Sequence, residues 1–490
     1  MTEQPVNQWK TLDKDLNRIN LLEQTAGYVS RPLVAPGIAL CFVLLVIVAA
    51  SLLVGQSPAA LVVVAAAALG AYMALNIGAN DVANNMGPAV GANALTLGGA
   101  LLIAAVFETL GALLAGGDVV GTISGGIVAP ESLADQQVFV WAMMSALVAA
   151  ALWINLATVL GAPVSTTHSV VGGVMGAGIT AAGLAAVNWG MMGRISASWV
   201  ISPLMGGVIA ALFLAFIKAY IIYRDDKIAA ARRWVPVLIG IMAGAFATYL
   251  SIKGLNHLFQ ITLARAALIG GAIGLLTTLA MFPVIRRQSE GMENRKKSLK
   301  KLFAIPLVIS AALLSFAHGA NDVANAVGPL AAIVHAVGSG DVGGQVAIPF
   351  WVMAIGAAGL SFGLVLFGPR LIRIVGSQIT KLNPMRAYCV SLAAAITVIL
   401  ASWLGLPVSS THITVGAVFG VGFYREWHAE RRARLLGIAK GKPVAPEERR
   451  RRKLVRRSHF MTVVAAWMIT VPAAAVIAGL VFLAISRVAG

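Results

Sequence analysis

The chain has 490 residues, 59% of them hydrophobic and 11% charged, with a mean hydropathy of +0.85. That composition excludes a soluble globular domain and marks an integral membrane protein. The 37 Lys+Arg against 19 Asp+Glu give +18, but the basic residues gather in short segments between apolar runs, a positive-inside pattern that argues against a nucleic-acid partner.

Residues 1–32 are polar and mixed in charge, with Lys10, Lys14 and Arg18, and lack the apolar core and cleavage site of a secretory signal, so they read as a cytoplasmic tail. Apolar runs follow at about 33–55, 57–77, 94–115, 138–160, 190–217, 234–252, 259–285, 302–318, 346–368, 387–405 and 459–488. Most reach the roughly 20 residues that cross the hydrocarbon as helix. Two shorter runs, 163–182 and 407–423, begin at a proline and contain glycines, the pattern of broken or re-entrant half-helices. The expected fold is an all-α polytopic membrane protein with about 11 spanning helices and two half-helix elements. Cys41 and Cys389 lie in apolar runs and imply neither a disulfide framework nor a thiolate metal site.

Counting Lys and Arg between the spans orients the chain. Segment 218–233 carries five (Lys218, Arg224, Lys227, Arg232 and Arg233), 286–301 seven, 370–386 four and 425–457 thirteen, which places these four on the cytoplasmic side of a cell (inner) membrane. Segments 116–137, 181–193 and 323–345 carry none and are expected on the opposite side. Segments 116–137 and 370–386 hold corresponding places in two halves of the chain yet fall on opposite sides, so the halves are inverted. The resulting division is a tail at 1–32, a first transmembrane helix at 33–56, a first inverted repeat at 57–217, linking helices and basic loops at 218–301, and a second repeat at 302–488 with a basic cytoplasmic loop at 425–458.

Two motifs recur across the halves. Gly78-Ala79-Asn80-Asp81-Val82-Ala83-Asn84 returns as Gly319 to Asn325, each copy continuing to a Gly-Pro pair, so nine of eleven positions match. Pro163-Val164-Ser165-Thr166-Thr167-His168 begins 85 residues after Gly78, and Pro407-Val408-Ser409-Ser410-Thr411-His412 begins 88 after Gly319; continued to Gly178 and Gly422, ten of sixteen positions are identical. A third echo pairs Trp199 to Pro203 with Trp467 to Pro472, with a one-residue slip.

The chemistry of the two motifs differs. A carboxylate, two carboxamides and the carbonyls freed by an expected helix break at Gly-Ala are hard oxygen donors at membrane depth, suited to an alkali cation or, through the carboxylate, a proton. A proline followed by Ser and Thr N-caps opens a half-helix whose first N–H groups lack intrahelical partners and favour an anion. Two such termini with six hydroxyls suit a tetrahedral oxyanion, and composition does not separate phosphate from sulfate, arsenate or molybdate. The bland alternatives are buried caps for the aspartates and helix–helix hydrogen bonding for the hydroxyls; His168 and His412 either cap and support or touch the ligand. An intramembrane enzyme lacks its motifs here, with no His-Glu-x-x-His, Gly-x-Ser-x-Gly or nucleotide loop. An anion channel calls for rings of charge that the core motifs lack.

The duplicated Gly-Ala-Asn-Asp-Val-Ala-Asn with duplicated Pro-Val-Ser-(Ser/Thr)-Thr-His resembles the inorganic phosphate transporter (PiT) family over roughly 57–488. The resemblance implies phosphate as substrate, inverted repeats, and cation symport through alternating access, with Na+ as coupling ion and H+ as the alternative, and no further cofactor. Both copies read Gly-Ala-Asn-Asp, the form associated with sodium coupling, and not Gly-Phe-His-Asp. Carried over by position, Asn80, Asp81, Asn84, Asn321, Asp322 and Asn325 are the expected Na+ ligands or their supports, and Ser165, Thr166, Thr167, Ser409, Ser410 and Thr411 the expected phosphate contacts. Glu108 matches a family glutamate near the transport path, with His168 and His412 beside it; the second-half glutamate of eukaryotic relatives falls on Ser391, which departs from a two-glutamate scheme. His318, just before the second motif, has Ile77 in the matching place. The expected surroundings are the lipid bilayer, with glycine-rich faces open to a homodimer.

Overall fold

The computed structural model describes residues 33–55, 59–129, 132–133, 135–160, 164–253, 261–339, 346, 348–378, 382–435 and 457–489. The expected tail 1–32, Pro163 and most of the basic segment 425–458 lie outside the described residues.

The chain folds as α1 (Leu33–Val54), α2 (Ala60–Gly91), α3 (Leu97–Ala115), the short α4 (Gly117–Gly121), α5 (Gln136–Leu160), α6 (Thr166–Ala182), α7 (Trp189–Ile217), α8 (Lys227–Lys253), α9 (Leu263–Gln288), the short α10 (Lys296–Leu302), α11 (Ala304–Ser339), α12 (Phe350–Gln378), α13 (Pro384–Trp403), α14 (Ser410–Leu435) and α15 (Arg457–Ala489). Eleven of these are long and apolar enough to span a membrane, one for each apolar run of the sequence. Polar caps fix their starts: Thr96, Asn188, Thr262 and Asn383 accept N–H bonds at the first turns of α3, α7, α9 and α13. The leucines and valines left exposed along α1, α7 and α9 are the face such helices present to lipid.

The halves correspond as α2 to α11, α3 to α12, α5 to α13, α6 to α14 and α7 to α15, and they interlock by exchange. Helix α2 packs on α12 while α11 packs on α3, and α14 packs on α7 while α15 packs on α6. Each exchange is tight because backbone meets backbone. A Cβ at Gly78 would collide with the carbonyl of Leu360, and one at Gly319 with the carbonyl of Glu108. The same holds for Gly416 against Pro203 on one side and Gly172 against Val471 on the other. Small residues are the means by which membrane helices, lacking a hydrophobic drive between them, approach closely. Helices α8 and α9 pack chiefly on each other.

Three expectations need correction. The break expected at Gly-Ala is absent: α2 and α11 run unbroken through both motifs, because Gly78 and Gly319 serve the close crossing of a neighbouring helix. The freed carbonyls come instead from Pro88 and Pro329 inside these helices. Proline has no N–H to offer four residues back, so the carbonyls of Asn84 and Asn325 lose their intrahelical donor. The second half-helix, expected to stop at 423, continues to Leu435. Segments 116–137 and 323–345 are not plain loops either, since α4 and a π-helical turn at Thr122–Gly126 occupy part of the first and α11 runs into the second.

Candidate functional site

The two motifs meet at the centre of the molecule. Ser165 caps α6 and accepts the His168 N–H at 3.2 Å, and Ser409 caps α14 and accepts the His412 N–H at 3.3 Å. Helix geometry leaves the N–H groups of Thr166 and Thr167, and of Ser410 and Thr411, without an intrahelical acceptor. Both termini are buried.

The hydroxyls of these termini reach the Asn-Asp motifs on a repeated plan. Within each half, the first helical hydroxyl donates to its own aspartate: Thr166 to Asp81 Oδ2 at 3.0 Å and Ser410 to Asp322 Oδ2 at 3.2 Å. Across the halves, Asn84 Nδ2 donates to Thr411 Oγ1 at 2.8 Å and Asn325 Nδ2 to Thr167 Oγ1 at 3.1 Å. Thr411 also donates to Asp81 Oδ1 at 3.1 Å, and Thr167 to the Val408 carbonyl at 3.0 Å. Motifs that sequence chemistry assigns to two different ligands therefore share one hydrogen-bonded cage.

The copies are not equally satisfied. Asp81 accepts from Asn80 at 3.1 Å and, at 3.5 Å, from Asn84, besides the two threonines. In the second copy, Asp322 Oδ1 and Asn325 Oδ1 are buried without a donor among the described residues. Unpaired buried oxygens are costly, and an oxygen-seeking cation relieves that cost. Asn321 positions the second terminus: its carboxamide donates to Ser402 Oγ at 3.0 Å and the Leu406 carbonyl at 3.2 Å, and accepts the Val408 N–H at 3.2 Å.

Three polar residues break the symmetry. Glu108 Oε1 accepts from Asn85 Nδ2 at 2.9 Å and lies 3.2 Å from His318 Nδ1, while His318 Nε2 lies 2.9 Å from Asp322 Oδ2 and 3.8 Å from Asp81 Oδ2. Asp81, His318 and Asp322 converge closely enough for one ion to touch all three. The counterparts of His318, Glu108 and Asn85 are the apolar Ile77, Leu360 and Ala326, all buried. The exchange crossings make Leu360 on α12 the repeat counterpart of Glu108; Ser391, the place expected for the second-half glutamate of eukaryotic relatives, is buried on α13. Asn85 and the bridging position of His318 went unnoticed in the sequence, and the signal for both was a mismatch between the copies.

His168 and His412 come together behind the termini. Their rings meet edge to face at 4.5 Å, and each packs on the tryptophan of the third echo, His168 on Trp199 at 3.8 Å and His412 on Trp467 at 3.6 Å. They form an aromatic layer under the cage, and their ring nitrogens are buried without a hydrogen-bond partner among the described residues.

A sequence model described as the phosphate transporter family matches residues 77–478. The chain belongs to the phosphate transporter family. It is 46% identical over 473 residues to a putative phosphate permease of Helicobacter pylori, covering 86% of this chain and 89% of that one. It is 36% identical to a putative phosphate permease of Pyrococcus abyssi, covering 84% and 95%. Among solved structures it resembles one described as the sodium-dependent phosphate transporter, with a TM-score of 0.78, 35% identity, and coverage of 87% of this chain and 99% of that chain. As a member of this family the protein is a multi-pass membrane protein of phosphate transport.

Proposed function

We propose that the protein imports inorganic phosphate by cation symport, with Na+ as the coupling ion, by exposing the central cage alternately to the two sides of the cell membrane, its N-terminal tail on the cytoplasmic side. The observation that carries this reading is the crossed pair Asn84–Thr411 and Asn325–Thr167, in which each half completes the site of the other. A rocking of one half against the other then opens both motifs at once.

In this reading the N–H groups and hydroxyls opened by Ser165, Thr166 and Thr167 and by Ser409, Ser410 and Thr411 receive phosphate, with no Lys or Arg brought into the membrane. The Asn-Asp motifs receive Na+, beginning with the unpaired oxygens of Asp322 and Asn325. A cation beside the anion offsets charge that is costly to desolvate. The resembling structure's description as sodium-dependent supports the choice of Na+.

Proton coupling is a second reading, favoured by His318, which sits between Glu108 and Asp322 and offers a proton-carrying group where the first half has Ile77. Phosphate accumulation in proteoliposomes, under an inward Na+ gradient or an inward proton gradient imposed separately, tests both. Accumulation under Na+ alone is expected. Accumulation under protons alone shifts the coupling to His318 and the aspartates, and no accumulation under either gradient overturns the reading in favour of another tetrahedral oxyanion or a channel.

A further inference from the structure

A second concentration of charge lies far from the cage, at the end of the bundle that bears the Lys- and Arg-rich segments. There a pocket of about 430 Å³ is lined by six cations: Lys218 from the turn after α7, Lys296, Lys297 and Lys300 from α10, Arg386 from the first turn of α13, and Arg425 from α14. Leu214 and Met385, both buried, form its apolar floor.

Six like charges in one pocket repel, and a solvated loop would spread them. The fold instead holds them. Lys218 lies close enough to Arg425, Arg386, Arg432 and Lys296 to feel each charge, and its Nζ sits 4.8 Å over the Tyr424 ring. Lys296 sits 5.8 Å over the Tyr223 ring. Among the described residues no ion pair joins any of the six to a carboxylate; Glu426, next to Arg425 on α14, acts electrostatically on Arg425. Helix α10 is held in place by Leu299 and Leu302, both fully buried, which turns its lysines toward the pocket. Clustered cations held over a fixed cavity are the arrangement that recognises multiply charged phosphate groups.

We propose that this pocket is a binding site for a polyanion bearing two or more phosphate groups, distinct from the central cage. The chemistry is shared by a cytosolic polyphosphorylated molecule and by a diphosphate lipid headgroup at the membrane surface. Such a ligand bridges α7 of the first half, the linking α10, and α13 and α14 of the second. Arg425 lies fifteen residues along α14 from Ser410, roughly 22 Å at the rise of a helix, so the occupant touches the helix that opens the cage without entering it.

The test uses the full chain purified in a zwitterionic detergent, with two probes at matched ionic strength. Tripolyphosphate binding is followed by calorimetry, and cardiolipin binding, against phosphatidylcholine, by native mass spectrometry. One saturable equivalent of at least one probe is expected; tripolyphosphate alone identifies a soluble ligand and cardiolipin alone a lipid. The Lys296→Gln/Lys300→Gln variant is expected to weaken that binding at least about tenfold, and Lys296→Arg/Lys300→Arg to retain it. Should the double variant not fold, Lys297→Gln is expected to weaken the same binding several-fold. Asp81→Asn is expected to bind as the unmodified protein does, which keeps the result independent of transport. Saturation by neither probe, binding unchanged by loss of the lysines, or loss of binding in Asp81→Asn overturns the proposal.

Discussion

Asn84 on α2 donates to the Thr411 hydroxyl at the head of α14 at 2.8 Å, and its repeat counterpart Asn325 makes the same bond to Thr167 at 3.1 Å. These bonds cross between halves. A site assembled this way is intact only while both halves hold a given relation, so a change in that relation is felt by every ligand group together.

The crossed bonds predict a coupling that a shared fold alone does not require. Asn84→Ala leaves the Thr411 hydroxyl with one partner fewer in a buried site, at a cost of about 1–3 kcal/mol. Asn84→Ala combined with Thr411→Val is expected to cost less than the sum of the single changes, by about 0.5–1.5 kcal/mol, in a double-mutant cycle read from melting in detergent. The Asn325 and Thr167 cycle is expected to match it. Additive costs in both cycles would show that the crossed bonds carry no energy.

The exchange crossings predict which glycines tolerate a methyl group. Gly78→Ala and Gly319→Ala place a Cβ against the carbonyls of Leu360 and Glu108, which have no flexible end to move aside. Overpacking of this kind costs about 1–3 kcal/mol. Gly271 on α9 has open space where its Cβ would lie, so Gly271→Ala is expected to be neutral or stabilising. A melting temperature for Gly319→Ala equal to that of Gly271→Ala would contradict the crossing.

Much of the fold was legible in the sequence because bilayer thickness sets helix length and duplication sets correspondence; every apolar run became a span. The cage was legible as a list of residues, since both motifs announced themselves twice. Its wiring was not. That Thr411 would reach Asn84 and Thr167 reach Asn325 depends on how two halves interlock, which no spacing within a half encodes. Gly78 and Gly319 suggest a helix break when only the sequence is considered, and only the crossing partner shows that they serve close approach. Asn85 escaped because repeat comparison rewards identity, whereas it matters by differing from Ala326; the mismatch of His318 with Ile77 is visible in the sequence, but the bridge it makes between Glu108 and Asp322 is not.

The asymmetric group makes its own prediction. Glu108 Oε1 takes the Asn85 carboxamide and faces His318, so Asn85→Leu and Glu108→Gln both disturb the arrangement that holds His318 against Asp322. Both are expected to lower phosphate uptake roughly ten- to a hundredfold, the range seen when the outer partners of a ligand group are removed. Ser391 has a buried Oγ without a partner among the described residues, so Ser391→Ala removes nothing that is satisfied and is expected to keep uptake near normal. A loss in Ser391→Ala as large as that in Glu108→Gln would show that α13 supplies a second-half partner of Glu108.

The two aspartates are expected to fail differently. Asp81 is already met by Asn80, Asn84, Thr166 and Thr411, so Asp81→Asn replaces an acceptor to which four groups donate and disrupts the cage itself. Asp322 keeps Oδ1 unpaired and touches Ser410 and His318 through Oδ2, so Asp322→Asn removes charge chiefly from the side where a cation is expected. Both variants are expected to fold and to lose concentrative uptake. They should separate in phosphate binding measured at saturating Na+: weakened in Asp81→Asn, and in Asp322→Asn nearly retained but with little dependence on Na+. Full concentrative uptake by either well-expressed variant would remove that carboxylate from the coupling scheme, and an identical Na+ dependence of binding in both would show that the two copies serve the cation equally.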